Sequence, residues 1–313
     1  MLNFIRKIIS TSISSILKIQ SMVVSIISCF CFKNFFLRSI FIFIIVIILF
    51  INDKFSYATS NVIYPNTSHL YHGNIAQNKL RDQFVDKKIY DSIFFGNYDQ
   101  DGDISNGKEP VEWIVLEKDT TNREVILISK YILECMRFNG FSEPVTWENS
   151  SLRKYLNEEL INEFFDIDEL KCVLDTYNYN PENVYNNSYS GENTVDKLYI
   201  PSIEDMYKYF TDVSLSVSDR YQELLKQNVF RISFVTPHAM NNGVRIMGVG
   251  QKYPASGNYL LRTKAPYGER IWYNDVIEKN FISFVSEVGE IKPNGTGINS
   301  SDDGIRIMLK VKY

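Results

Sequence analysis

Apolar residues change their spacing twice along this chain, and this change restricts the fold class that the chain can adopt. Strand-like segments come first, at Val111–Leu116 and Glu124–Ile128. In TWENSSLRKYLNEELINEFF, apolar residues then recur every three or four positions from Leu152 to Phe164, which predicts one buried helix face. Strand-like segments return from Arg231–Val235 to Ile305–Tyr313. This order of strands, helices and strands predicts an α+β fold and not alternating βαβ units.

The charge distribution argues against nucleic acid as a partner. The 313 residues have a formal net charge of −4. Residues 1–54 carry six basic side chains and one acidic side chain, so the remainder is more acidic than the whole. Proteins bind phosphate backbones through clustered Lys and Arg, and no basic run follows residue 54.

An N-terminal apolar segment predicts export. Residues 39–51, SIFIFIIVIILFI, carry no charge, and Lys33 and Arg38 precede them. An apolar core of 13 residues is short for a membrane span and typical of a signal peptide. Ser56-Tyr57-Ala58 follows, which is a small-x-small cleavage pattern. We therefore expect residues 1–58 to be a signal peptide cleaved after Ala58, or an uncleaved signal anchor.

With the basic flank inside, the body of the protein is expected to be secreted or displayed on the cell surface. Membrane contact is expected only through the apolar segment. Both Met1 and Met22 are possible translation starts. The sequence predicts a polar linker over residues 59–88 and a single domain over residues 89–313.

Two cysteines, Cys135 and Cys172, remain after the predicted cleavage. In an exported protein they can form a disulfide, and the alternative is two separate buried thiols. The sequence favours neither, because it does not place the two Cα atoms within bonding range. It does not set the oligomeric state either.

Several blocks of this chain resemble a known family. The blocks are EPVEWIVL, TWENSSLRKYLN, GENTVDKLYIPSIEDMYKYF and the final YLLRT and GIRIMLKV. Together they resemble domain of unknown function 6273, found in exported bacterial proteins, over roughly residues 90–313. The resemblance implies a C-type-lectin-like, or sulfatase-modifying-factor-like, α+β fold, with two main helices against a twisted antiparallel sheet with long loops. The family has no established activity to carry over.

The segment DQDGDISNGKEP begins like a calcium-binding EF-hand loop. Asp99, Asp101 and Asp103 match ligand positions 1, 3 and 5. Ile104 stands where the loop needs Gly, Pro110 stands where it needs Glu, and the flanking segments are strand-like. We therefore interpret the segment as a β-hairpin loop. A loose calcium site is the alternative, and no other cofactor is expected.

Trp272-Tyr273-Asn274-Asp275 resembles, with one insertion, a calcium-binding triplet of sugar-binding C-type lectins. The Glu-Pro-Asn triplet that precedes it in those lectins is missing. We interpret Trp272 as a core residue of a strand, with Asn274 and Asp275 as its turn. A ligand-binding role for these three residues is the alternative.

No catalytic constellation is evident in the sequence. There is no Gly-x-Ser-x-Gly nucleophile motif and no phosphate-binding glycine loop. His238 stands alone, and we interpret it as a structural or surface residue. Arg262 and Arg306 lie in strand-like segments, where arginine usually forms an ion pair or bonds loop carbonyls. Their alternative role is to anchor a ligand carboxylate or a glycan.

The stretch TYNYNPENVYNNSYSGEN, residues 176–193, is the strongest candidate for a recognition surface. Tyr177, Tyr179, Tyr185 and Tyr189 offer contact area at a low entropic cost, and the asparagines offer adaptable hydrogen bonds. The alternative is an ordered loop without a ligand.

The leader and the missing catalytic motifs favour an exported, non-catalytic module that binds an extracellular protein or glycan. One alternative is a cell-wall or polysaccharide hydrolase, which would need two converging carboxylates. The acids available for that are Asp99–Asp103, Glu109, Glu112 and Asp275. The other alternative is a structural protein of the cell envelope.

Overall fold

The structure is a computed structural model, and it describes residues 77–140, 144–248, 250–266 and 280–313. The predicted signal segment, residues 1–58, lies outside these ranges. One compact unit covers Thr67–Tyr313. Within the described ranges, no helix has the length and apolar content needed to cross a membrane.

The described residues contain thirteen strands and seven α-helices. In chain order, the strands are β1 (Ser92–Tyr98), β2 (Glu109–Asp119), β3 (Glu124–Ser129), β4 (Glu134–Cys135), β5 (Val173–Leu174), β6 (Thr176–Asn178), β7 (Thr194–Asp196), β8 (Leu198–Tyr199), β9 (Tyr259–Ala265), β10 (Phe281–Val285), β11 (Ile291–Gly297), β12 (Gly304–Ile305) and β13 (Met308–Lys312). The helices are α1 (Gln77–Phe84), α2 (Ser151–Tyr155), α3 (Ile161–Phe164), α4 (Ile167–Leu170), α5 (Ile203–Phe210), α6 (Val217–Leu224) and α7 (Pro237–Asn241).

The strands form two larger sheets and one ribbon. The first sheet is antiparallel, with the order β1-β2-β3-β13-β5, and β8 also pairs with β13. The second sheet has the order β11-β10-β9-β12-β4, in which only the β9–β12 pair is parallel. Strands β6 and β7 form a separate two-stranded antiparallel ribbon. The predicted α+β class is thus confirmed.

The last strand, β13, lies inside the first sheet. It pairs with β3 along its whole length, from Met308 opposite Ile128 to Lys312 opposite Glu124. Its other edge pairs with β5 and β8. Because both edges are paired, β13 joins the early strands of the chain to the middle ones.

The predicted amphipathic helix is present and broken by a π-helical turn. It runs through α2, the π-helical segment Leu156–Leu160 and α3. Leu152, Leu156 and Leu160 are fully buried, as the spacing predicts. The Ser150 side chain caps the helix by accepting a hydrogen bond from the Arg153 backbone N–H.

Two parts of the sequence interpretation need correction. The end of the predicted polar linker forms α1, whose Leu80 and Phe84 side chains are fully buried in the core. The predicted strand Arg231–Val235 instead begins in a 3₁₀ turn, Val229–Arg231, followed by isolated bridges at Phe234 and Val235. The fully buried Arg231 side chain makes backbone contacts that a strand pattern does not anticipate.

Candidate functional site

The β6–β7 ribbon presents aromatic side chains to solvent. Tyr177 and Tyr179 flank the buried Asn178, so the strand alternation turns both tyrosines outward. Their exposed fractions are 66% and 60%. Val195 lies opposite Tyr177 in the register and is exposed as well. We call Tyr177, Tyr179 and Val195 the tyrosine ribbon.

The loop between the two ribbon strands is tied down by its asparagines. Asn183 Nδ2 donates to the backbone oxygens of Lys264 and Pro293, at 2.8 and 3.1 Å. Asn180 Nδ2 donates to the Glu192 backbone oxygen, which closes the loop on itself. These bonds satisfy buried polar groups and hold the loop in one conformation.

The other two predicted tyrosines have different environments. Tyr185 is half-buried, and its hydroxyl donates to the Tyr221 backbone oxygen at 2.5 Å. Tyr189 is exposed, and its hydroxyl donates to Glu192 Oε1 at 2.6 Å. This hydrogen bond raises the pKa of Tyr189 to about 12. Tyr185 therefore anchors the loop, whereas Tyr189 faces outward.

A buried carboxylate, Asp196, connects the ribbon to the helix. Trp147 Nε1, Asn178 Nδ2 and the Thr194 hydroxyl all donate to its Oδ2, at 3.0, 2.8 and 2.6 Å. Arg153 Nε donates to its Oδ1 at 2.6 Å. Trp147 and Arg153 belong to the TWENSSLRKYLN block, and Thr194 and Asp196 to the GENTVDKLYIP block. The two blocks therefore form one polar clamp.

The same clamp continues one turn further along the helix. Asn157 Oδ1 accepts from the backbone N–H groups of Lys197 and Leu198, and its Nδ2 donates to the Leu198 backbone oxygen. Glu148 Oε2 accepts from the backbone N–H of Glu192. The side chains that carry the family resemblance thus position the ribbon and its loop.

Arg262 lies inside the fold, with a side chain only 3% exposed. Its Nε donates to Asn180 Oδ1, and its Nη1 donates to Asp205 Oδ2 and to the Ile200 backbone oxygen. Its Nη2 reaches the Tyr179 backbone oxygen at 3.4 Å. The contacts of Arg262 are therefore with the protein itself, the backbone of Tyr179 included. The second arginine, Arg306, is also buried, and its Nε donates to the Ser129 backbone oxygen.

A surface cleft of about 500 Å³ lies beside the clamp. It is lined by polar side chains at the start of the helix, among them Glu148, Asn149, Ser151, Arg153, Lys154 and Glu158. Glu148 and Arg153 also bind the ribbon and its loop, so the cleft and the tyrosine ribbon are adjacent.

The acidic hairpin loop brings together only part of the predicted metal set. Asp99, Asp101 and Glu109 each have a carboxylate oxygen within 4.8 Å of the others. Asp103 is not in this group, and it accepts hydrogen bonds from Ser105. Asp99 and Asp101 accept from backbone N–H groups of their own loop, as turn aspartates do. The hairpin between β1 and β2 is as predicted.

The other predicted acids and the lectin-like triplet are placed as follows. Glu112 forms an ion pair with Lys130 at 2.9 Å, away from any second carboxylate among its described contacts. Trp272, Asn274 and Asp275 lie outside the described residues.

Both predicted cysteines are free thiols. Burial raises the pKa of the half-buried Cys135 to about 11, and it also raises the pKa of the buried Cys172. Neither environment favours a reactive thiolate at neutral pH.

His238 belongs to a cluster of titratable side chains that no spacing in the sequence reveals. Its Nε2 lies 2.8 Å from Glu134 Oε1 and 3.2 Å from the Tyr98 hydroxyl oxygen. The Tyr98 hydroxyl donates to the same Glu134 oxygen. His238 thus has partners that are distant in the sequence, and its interpretation as a structural or surface residue stays a prediction. The hydrogen bond to Glu134 raises the pKa of His238 above its ordinary value of 6.5, although desolvation opposes this effect.

We expect His238→Gln to lower the free energy of unfolding by about 1.5 kcal/mol at acidic pH and by much less at alkaline pH. The native pKa of His238 is raised above the unfolded value of 6.5. The contribution of the His238–Glu134 pair to the free energy of unfolding is therefore fully present below pH 6.5. It is lost as the pH rises through the native pKa of His238. Urea unfolding at a series of pH values measures the difference.

The matched control is Glu134→Gln, which removes the negative charge and keeps an acceptor. Glu134→Gln should reduce the pH dependence of the unfolding free energy over the same range, from pH 6.5 through the native pKa of His238. Parallel profiles for the wild type and His238→Gln would show that the imidazole does not titrate against Glu134.

Comparison with known proteins gives one match. A family model described as Domain of unknown function (DUF6273) matches residues 122–312, more than half of the chain. The matched range contains both blocks of the clamp, whereas EPVEWIVL lies before it. No curated protein and no solved structure matches.

Proposed function

The chain belongs to the DUF6273 family, and we propose that its domain is a non-catalytic binding module that presents the tyrosine ribbon to an extracellular protein or glycan. Export through the apolar segment at residues 39–51 is part of this proposal. So is a C-type-lectin-like arrangement, in which long loops carried by an α+β scaffold contact the ligand.

One observation carries the proposal: exposed aromatic side chains are held on a rigid support. Tyr177 and Tyr179 are largely exposed, while Asn178 between them binds the buried Asp196. Exposed aromatic patches on a soluble domain usually mark an interaction site. A fixed backbone lowers the entropy lost on binding, so the buried clamp favours recognition by these tyrosines.

We expect the double variant Tyr177→Ala/Tyr179→Ala to weaken ligand binding by about tenfold or more. Its stability should change by less than about 1 kcal/mol, because both side chains are mainly solvated. Binding of the full chain to immobilised glycans and to purified bacterial surface proteins measures the first effect. Urea unfolding measures the second.

Phe94→Ala is the matched control, since Phe94 is an exposed aromatic residue on β1 of the first sheet. It should leave binding unchanged. The proposal fails if the wild type binds neither class of ligand, or if the folded double variant binds as the wild type does.

A further inference from the structure

We infer that the polar cleft beside the tyrosine ribbon binds an uncharged oligosaccharide. This inference rests on the proposed binding function and specifies the class of ligand. The cleft volume of about 500 Å³ lies within the range of small-molecule binding sites. Three features support a neutral, hydroxyl-rich ligand: the pairing of the cations in the cleft, its spare hydrogen-bonding groups and the exposed tyrosines on the segments beside it.

Both cationic side chains among the lining residues of the cleft have an acidic partner. Arg153 is paired with the buried Asp196 at 2.6 Å, and Lys154 lies 3.9 Å from Glu158. Glu148 accepts hydrogen bonds from Thr146 and Asn149. An anionic ligand would therefore meet no unpaired cation here, and the Glu148 carboxylate is already hydrogen-bonded by uncharged donors.

The cleft also has donors and acceptors that the fold leaves free among the described residues. Asn149 uses one amide N–H, toward Glu148 Oε1, so its second N–H and its carbonyl oxygen are available. The Ser151 hydroxyl accepts from the Gly140 backbone N–H at 3.0 Å and can still donate its proton. A sugar hydroxyl both donates and accepts, so it fits such a mixture better than an ion does.

The lining residues include no aromatic side chain, but two of them contact the segments that carry the exposed tyrosines. Glu148 binds the Glu192 backbone, and the Glu192 side chain accepts from the Tyr189 hydroxyl. On the other wall, Arg153 Nη2 reaches the Val195 backbone oxygen, and Val195 pairs with Tyr177. A pyranose ring has an apolar C–H face, which an exposed tyrosine ring can cover while its hydroxyl stays in water.

The helix beside the cleft contains a π-helical turn, a feature that also favours a binding role for the cleft. The π-helical turn Leu156–Leu160 begins directly after Tyr155 and carries Glu158 of the cleft. Single π-helical turns interrupt α-helices frequently at functional sites, because the wider turn changes the direction of the side chains.

The test is a calorimetric titration of the full chain with neutral hexasaccharides (cellohexaose, mannohexaose and chitohexaose) and with polygalacturonate as the anionic comparison. We expect at least one neutral hexasaccharide to bind with a Kd of about 0.1–1 mM and polygalacturonate to bind more weakly. Asn149→Ala and Ser151→Ala should each weaken that binding by about fivefold, as expected for one lost hydrogen bond. Circular dichroism checks that both variants fold.

Asn162→Ala is the matched control, since Asn162 is exposed on the same helical run and, like Asn149, uses its amide in one local bond. It should bind as the wild type does. If binding is lost in Tyr177→Ala/Tyr179→Ala but kept in both cleft variants, the inference is overturned and the proposed function stands. Stronger binding of polygalacturonate, or binding of surface proteins alone, also overturns the inference. Binding to no glycan and no protein overturns both.

Discussion

Replacing Arg231 with methionine is expected to lower the free energy of unfolding by about 4 kcal/mol. Arg231 is fully buried, and its guanidinium donates to five backbone oxygens. These oxygens belong to Gly289, Phe210, Glu223, Leu224 and Lys226. Methionine fills a similar space but offers no donor, so buried carbonyl groups lose their partners. Urea unfolding measures the change.

Two further variants separate this explanation from a simple change of charge. Arg231→Lys keeps the charge but replaces the planar fork by one ammonium group, and we expect it to cost about 2 kcal/mol. Arg245→Met removes an arginine that is 69% exposed and paired with Asp302, and it should cost less than about 1 kcal/mol. If the Arg231→Met and Arg245→Met proteins were equally stable, the hydrogen bonds of the buried Arg231 guanidinium would not have the stabilising role assigned to them.

Replacing Asp196 with alanine is expected to cost about 3 kcal/mol and to loosen the tyrosine ribbon. The change leaves Trp147 Nε1, Asn178 Nδ2 and Arg153 Nε without their shared acceptor. Arg153 is partly exposed and can be rehydrated, but Trp147 and Asn178 are buried. Urea unfolding measures the stability, and hydrogen exchange of residues 176–196 measures the loosening.

The matched control is Asp175→Ala. Asp175 pairs with Lys197 at 3.3 Å, and its side chain is exposed, so its removal should cost less than about 1 kcal/mol. Hydrogen exchange in the ribbon should then match that of the wild type. Equal effects of Asp175→Ala and Asp196→Ala would argue against a buried clamp.

Local patterns in the sequence predict the parts of the fold that local contacts decide. The helix stripe from Leu152 to Phe164 is present. Asp166 and Glu169 have the spacing of a capping box in the sequence, and they form one at the start of α4. Both depend on residues three or four positions apart, which a single sequence displays directly. The hairpin at the acidic loop is also present, because Asp and Gly determine its turn.

Long-range contacts decide the parts that the sequence does not predict. The apolar neighbours of Arg231 predict a strand, yet its side chain donates to backbone oxygens as far apart in the sequence as Phe210 and Gly289. The cluster of His238 with Glu134 joins residues more than a hundred positions apart. Contacts between residues so far apart leave no periodic pattern in a single sequence.

Some features of the candidate site can be predicted from the sequence, and others depend on long-range contacts. Residue chemistry alone selects Tyr177, Tyr179, Tyr185 and Tyr189 as candidates. Strand alternation about Asn178 turns Tyr177 and Tyr179 outward, whereas the half-buried position of Tyr185 depends on distant contacts. The cleft depends on Arg153 meeting Asp196 across two distant blocks. The indole N–H of a buried Trp147 requires an acceptor, and this requirement is the signal that points to an acid such as Asp196.

The central position of β13 also has a consequence for the order in which the protein folds during synthesis. Strand β13 pairs with β3, about 180 residues earlier in the chain, and with β5 and β8 on its other edge. Until residues 308–312 have left the ribosome, β3 exposes an unpaired edge of apolar residues. The first sheet can therefore close only after residues 308–312 have been synthesised, and the free edge of β3 is open to other pairing until then.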